Sequence, residues 1–203
     1  MKVLLINGSP HEKGCTYTAL SLIAGELKAQ GIETEILHVG GQPVGGCIGC
    51  GGCRSGNGCV FGGVVNEAIE KAKTADAFVF GSPVHYASAA GNMASFMDRL
   101  AYAGGKYLAY KPAAVCCSAR RAGTTSTLDQ LVKYPQFFHM PLVNGSYWAM
   151  VHGSNPEQVL QDAEGCAVMQ ELGRNMAWLL RCIEAGKAAG IDHPQNPPRP
   201  MTS

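Results

Sequence analysis

Four of the chain's nine cysteines, Cys47, Cys50, Cys53 and Cys59, stand in the spacing C-x2-C-x2-C-x5-C. Nearly every residue between them is Gly, Ser or Asn. Such a stretch has almost no apolar side chain to bury, so it reads as a loop whose thiols face one another or a shared ligand. Zinc usually takes two well-separated C-x2-C pairs, or a mixture of Cys and His. A compact C-x2-C-x2-C run with a nearby fourth Cys is instead the form that wraps a [4Fe–4S] cubane. The interleaved glycines suit a tight wrap, because they accept positive φ and add no bulk. Four free thiols that merely shape a pocket are the other reading.

A second stretch, Gly8-Ser9-Pro10-His11-Glu12-Lys13-Gly14-Cys15-Thr16, suits an anion. It joins an apolar run to a helical pattern, so backbone amides and the helix dipole meet the hydroxyls of Ser9, Thr16 and Thr18. The dinucleotide fingerprint G-x-G-x-x-G is absent, and Lys13-Gly14 reverses the Gly-Lys order of an ATP-binding loop. A single terminal phosphate fits; a plain capped strand-to-helix turn is the bland alternative. Ser82-Pro83-Val84-His85-Tyr86 and Ser118-Ala119-Arg120-Arg121-Ala122-Gly123 each follow an apolar run in the same way. No acid or base is compelled by the sequence as a catalyst. His139 and His152 lack paired ligand spacing and read as structural. Asp98-Arg99 reads as a helix-end ion pair or a contact between subunits. Cys116, Cys117, Cys166 and Cys182 sit in apolar patterns and read as small buried hydrophobes.

The elements that must position these loops follow from periodicity. Strands are expected at 2–6, 33–39, 75–81 and 111–117, with a fifth inside 141–151 carried by Leu142-Val143 and Tyr147-Trp148. Helices are expected at 16–30, 64–74, 91–100 and 125–132, and over 156–188 with a break near Gly165 or Gly173. Strands alternating with helices make a doubly wound α/β parallel sheet, on which ligands bind at the carboxyl ends of the strands. All four unusual loops lie at those ends. The reading is one domain over 1–192, with the cysteine loop 40–63 inserted after the second strand, and a proline-rich tail over 193–203.

Composition narrows the class of function. With 46% hydrophobic residues and a formal net charge of +1 over 203 residues, the chain can build a core. It makes no electrostatic case for nucleic acid or an anionic membrane surface. No run of about 18 apolar residues suggests a membrane span, and the N-terminal run is too short for a signal peptide. A cytoplasmic location is expected, where clustered cysteines serve metal or redox chemistry.

Taken together, Gly8-Ser9-Pro10…Gly14-Cys15-Thr16, Gly81-Ser82-Pro83-Val84-His85-Tyr86 and Met97-Asp98-Arg99 resemble the flavodoxin-like NAD(P)H-dependent FMN reductase family. The likeness runs on through Arg120-Arg121-Ala122-Gly123, Asp129-Gln130-Leu131, Met140-Pro141 and Tyr147-Trp148-Ala149-Met150-Val151-His152-Gly153, and so covers most of the chain. The branch it is most similar to is the iron–sulfur flavoproteins and their cluster-less relatives.

The resemblance implies a five-stranded flavodoxin-like sheet with helices on both faces. It implies FMN, with Ser9, His11, Cys15, Thr16 and Tyr17 near the phosphate. Pro83, Val84, His85 and Tyr86 would meet the flavin and its ribityl chain, and Ser118, Arg120 and Gly123 the pyrimidine end. Cys47, Cys50, Cys53 and Cys59 would hold a [4Fe–4S] cluster close to the flavin. Relatives often carry Asn or Ser where this chain has Cys15. The implied activity is an oxidoreductase passing electrons from NAD(P)H to a small-molecule or redox-protein acceptor. The alternative is an electron carrier with no NAD(P)H-dependent reductase activity of its own. A homo-oligomer, dimer or tetramer, is implied as well.

Overall fold

Lys2–Asn7 forms the first strand, β1, and buries Val3, Leu4, Leu5 and Ile6 completely. Successive side chains of a strand point to opposite faces. Val3 and Leu5 therefore enter one apolar cluster, and Leu4 and Ile6 enter a second on the other face of the sheet. A strand with a core on both sides lies in the middle of a sheet. The computed structural model, which describes residues 1–197, places it there.

The chain runs through α1 (Cys15–Ala29), β2 (Glu33–His38), α2 (Val64–Thr74), β3 (Ala77–His85), β4 (Ser88–Ala89), α3 (Gly91–Gly104) and β5 (Ala113–Ala119). It continues through α4 (Thr124–Phe137), β6 (Met150–His152), α5 (Pro156–Val159) and α6 (Ala163–Ala188). The sheet order is β2-β1-β3-β5-β6, and all four of these pairings are parallel. The two-residue β4 pairs antiparallel with the end of β3 and lies off that path. The parallel strands thus follow the order 2-1-3-4-5 of the flavodoxin-like doubly wound sheet. One core cluster packs α1 and α6 against the sheet; the other packs α2 and α3, with Phe78, Phe80 and Phe96 all buried. Each such phenyl group contributes about 1.5–3 kcal/mol by leaving water. Among the described residues no helix is long and apolar enough to cross a membrane.

Three expectations are corrected. The fifth parallel strand is Met150–His152, not the two pairs expected earlier in the segment. Leu142 makes only an isolated bridge to Ala113, after which Tyr147 and Trp148 bulge into solvent before the chain returns to pair with Cys117. The terminal helical stretch breaks at residues 160–162, where Asp162 caps α6, and both Gly165 and Gly173 lie inside the helix. Gly173 is a close-approach residue: a Cβ there would stand 2.8 Å from the Ile23 carbonyl of α1, so a side chain would push the two helices apart. Finally, β3 runs on to His85, past the expected end at Gly81. Because β1 stops at Asn7 opposite Gly81, Pro83 takes no bond from that neighbour.

Of the tail, residues 193–197 have no regular structure, and 198–203 lie outside the described residues. The His193 ring stacks on Tyr110 at 4.4 Å, and Asn196 Nδ2 donates to Tyr110 Oη.

Candidate functional site

The carboxyl ends of β1, β3 and β5 are drawn together by hydrogen bonds that cross the sheet. The Gly8 amide donates to the Gly81 carbonyl at 2.9 Å. Thr16 Oγ1, at the start of α1, lies 2.8 Å from Ser118 Oγ at the end of β5, and both residues are buried. The Cys15 thiol donates to the Gly153 carbonyl at 3.5 Å. Burial pushes that thiol above its ordinary range, which keeps it protonated for the bond.

Ser9 is buried; its amide donates to Asn7 Oδ1, and its hydroxyl accepts from the His11 amide. Helix α1 opens at Gly14 with no side-chain cap and no acidic residue in its first turn. An uncapped helix start carries unsatisfied amides and partial positive charge, a setting that suits an anion. Of the residues expected there, Ser9 and Thr16 are buried and Cys15 is half-buried. Tyr17 is half-buried beside them, and His11 is exposed.

Beyond Pro83 the chain turns through a two-residue hairpin. Val84 pairs with Ala89 and His85 with Ser88, while Tyr86 (φ 51°) and Ala87 (φ 59°) are both left-handed. That is the type I′ geometry, normally built from Asn and Gly. Two side-chain-bearing residues held in that conformation store strain, a feature that gathers at ligand sites. The hairpin is pinned from α4: Gln130 Oε1 accepts from both the Ser88 hydroxyl and the Ala89 amide, and Ser126 Oγ donates to the Ala87 carbonyl. Gly123 (φ 93°) lets it sit close, since a Cβ there would stand 2.7 Å from Ala87 Cα. The result leaves the Tyr86 ring fully exposed, with His85 exposed beside it at the hairpin's tip. Arg120 and Arg121 extend nearby into solvent. Neither has an ion pair or hydrogen bond among the described residues.

The cysteine loop leaves β2 directly beside Ser9. A Cβ on Gly40 would overlap the Ser9 carbonyl, and His38 Nε2 lies 2.7 Å from the same oxygen. Asn92 of α3 then holds the loop's first limb, donating to the carbonyls of Gly40 and Gln42 and accepting from the Val44 amide. Cys47, Cys50, Cys53 and Cys59 all line one cavity of about 380 Å³, together with Arg54, Phe61, Arg99 and Tyr102. Gly49, Gly51, Gly56 and Gly58 are all left-handed, which curls the loop round that cavity. Asn66 fixes Cys59 by bonding both its amide and its carbonyl.

Among the described residues no three His, Cys, Asp or Glu side chains gather closely enough for a single ion. Thiolates on one tetrahedral zinc must approach within about 4 Å of each other, given a Zn–S bond of about 2.3 Å. A cubane sets irons and sulfides between its ligands and needs a wider ring of sulfurs. Four thiols line that one cavity beside Arg54 and Arg99, with no carboxylate in the lining.

The helix-end ion pair expected of Asp98 and Arg99 does not form. Asp98 accepts a 2.6 Å bond from Tyr134 Oη, while Arg99 turns into the cysteine loop, so the two neighbours do not pair. A signal was present: Asn92, Ser95, Arg99 and Tyr102 recur at the three-to-four spacing of one helix face. Of the cysteines expected to be buried, Cys116 and Cys117 are, Cys166 is half-buried and Cys182 is exposed.

A model of the NADPH-dependent FMN reductase family matches residues 1–155. The chain belongs to that family. Within it, this FMN reductase family member is 28% identical over 192 residues to an iron–sulfur flavoprotein of Methanocaldococcus jannaschii, covering 91% of this chain and 100% of the relative. Among solved structures it is similar to RosB, whose structure holds 8-demethyl-8-formylriboflavin-5′-phosphate. The TM-score is 0.71 at 14% identity, over 99% of this chain and 91% of that one. It is also similar to a flavodoxin from the domain Archaea, at a TM-score of 0.59 and 14% identity, over 89% and 99%. These structural likenesses speak to the fold.

Proposed function

We propose that this flavin oxidoreductase draws electrons from NAD(P)H and delivers them to a small-molecule or protein acceptor, using FMN and a [4Fe–4S] cluster held on one edge of the sheet. The observation that carries the proposal is the cavity lined by all four thiols of the loop that leaves β2 against the Ser9 carbonyl, next to the uncapped start of α1 in the fold's phosphate position.

Ser9, Thr16 and the first amides of α1 would hold the phosphate, with His11, Cys15 and Tyr17 around them. Pro83, Val84, His85 and Tyr86 would supply backbone and ring contacts to the flavin. Ser118, Arg120 and Gly123 would meet its pyrimidine end, where a cation favours the reduced anion. Cys47, Cys50, Cys53 and Cys59 would ligate the cluster. Bound there, FMN supplies hydride acceptance with single-electron release, and the cluster supplies single-electron relay. The protein's own part is orientation. The Thr16–Ser118 bond sets the helix against the sheet, and the pinned hairpin sets the height of Tyr86 above it.

A reducing, cytoplasmic setting is in keeping with nine free cysteines. Exposed Trp178, Tyr147 and Trp148 offer apolar surface for a second copy of the chain.

Anaerobic purification with iron, sulfide, zinc and flavin analysis tests the assignment. Iron with sulfide beside one FMN is the expected result, and Cys50→Ser should lose the iron and keep the FMN. Zinc, or iron unchanged in that variant, would refute the ligand set. Rapid flavin bleaching by NADPH or NADH is expected; a loaded protein that neither reduces would instead be a carrier without reductase activity.

A further inference from the structure

Arg99 is 6% exposed, yet among the described residues no carboxylate meets its guanidinium. Its Nε donates to Cys59 Sγ at 3.2 Å, its Nη1 to the Gly45 carbonyl at 3.4 Å, and its Nη2 to the Gly62 carbonyl at 3.0 Å. The Phe61 ring covers it at 5.5 Å. A buried cation is costly unless an anion is near it. Among the described residues the candidates are the sulfur it touches and whatever fills the cavity it lines, whose other cation is Arg54 and whose lining contains no acid.

The geometry points to Arg99 as the positioning residue of the cysteine cavity, and we propose that it does two things there. It clasps the loop, because Gly45 and Gly62 flank the four cysteines on either side and one guanidinium ties both carbonyls. It also donates to a ligand sulfur, and donation to cluster sulfurs stabilises the more negative, reduced state and raises the reduction potential. Only Arg offers a rigid planar fork that can serve two carbonyls and a sulfur at once. The inference rests on the cluster reading above.

The test uses the full-length chain purified anaerobically and reconstituted with iron and sulfide, as wild type, Arg99→Lys, Arg99→Gln and Arg99→Met. Iron per chain, the cluster's midpoint potential by EPR-monitored titration, and the rate of iron release to a chelator are read. FMN content and the urea midpoint of cluster-free protein serve as folding controls. The Gln and Met variants are expected to show a more negative potential and roughly 10-fold faster iron release, as outer-shell losses typically do, with FMN content unchanged. Arg99→Lys keeps the cation without the fork, so it should fall between, and it carries the comparison if the Met variant fails to fold. Wild-type potential and release rate in loaded Arg99→Gln would overturn the proposal. So would a lowered urea midpoint with an unmoved potential, which marks a purely structural role. A wild type that takes up no iron and sulfide is a different failure, since it removes the cluster itself and this role with it.

Discussion

Thr16 Oγ1 and Ser118 Oγ stand 2.8 Å apart in a buried contact that spans 102 residues of sequence. The bond ties the start of α1 to the end of β5. Removing one hydroxyl strands the other, which costs about 1–3 kcal/mol for a buried polar group. Thr16→Val and Ser118→Ala should each lower the urea-unfolding free energy by that amount. The double variant should cost clearly less than the sum. Additivity to within about 0.5 kcal/mol would mean that the two hydroxyls are energetically independent.

The hairpin at Tyr86 and Ala87 is strained in a way that glycine would relieve. A side-chain-bearing residue in the left-handed region costs about 1–2 kcal/mol. Ala87→Gly is expected to raise stability by about 1 kcal/mol, slightly offset by the freer unfolded chain. Tyr86→Ala should leave the stability of flavin-free protein nearly unchanged, because the ring is fully exposed, and should weaken flavin binding or slow electron delivery. Urea melts with flavin titrations check both; a destabilised Ala87→Gly would contradict the turn geometry.

Glu35 gives a pH dependence of known sign. Bonds from Lys2 first, and then from Lys71, hold its carboxyl below the usual range. A carboxylate with a depressed folded-state pKa stabilises the protein above its unfolded value of about 4.3 and loses that contribution as pH falls through the folded value. Glu35→Gln should therefore be less stable than wild type at pH 7, with the gap closing in acid. An equal gap at both pH values would argue against the linkage.

Thiol accessibility separates the two groups of cysteines. Burial pushes Cys116 and Cys117 far above the ordinary thiol range, Cys117 to about 12. Iodoacetamide applied to native, metal-free protein should modify Cys47, Cys50 and Cys182, which are exposed, and spare Cys116 and Cys117 until denaturant is added. Loading with iron and sulfide should then protect Cys47 and Cys50 but not Cys182, as peptide mass spectrometry would report. Protection of all three would point to subunit association in place of ligation.

Local pattern determines an element wherever a single period decides the matter. The residues of α2 alternate with the helical period, and its bounds, Val64–Thr74, match the expectation. Both-face burial of β1 was legible as an unbroken apolar run. Local preference loses where it and the chain path disagree. Tyr147-Trp148 has strand-forming residues, yet the neighbouring strand is already engaged at Leu142 and is met again only at Met150. Gly165 and Gly173 look like helix breakers, but α6 continues through both, and Gly173 is where α1 comes nearest.

The alternation of strands and helices, the Gly8–Thr16 strand-to-helix loop and the four-cysteine loop could all be taken from the sequence, because each is written in neighbouring residues through period, turn chemistry or ligand spacing. Arg99 against Cys59, 40 residues apart, and Thr16 against Ser118 could not. Which side chains face one another across a doubly wound sheet depends on strand order and helix rotation. Those are settled by how the two cores pack, not by any short stretch of chain. The cysteine spacing names a possible ligand; the packed helix behind it supplies the buried cation that such a ligand needs.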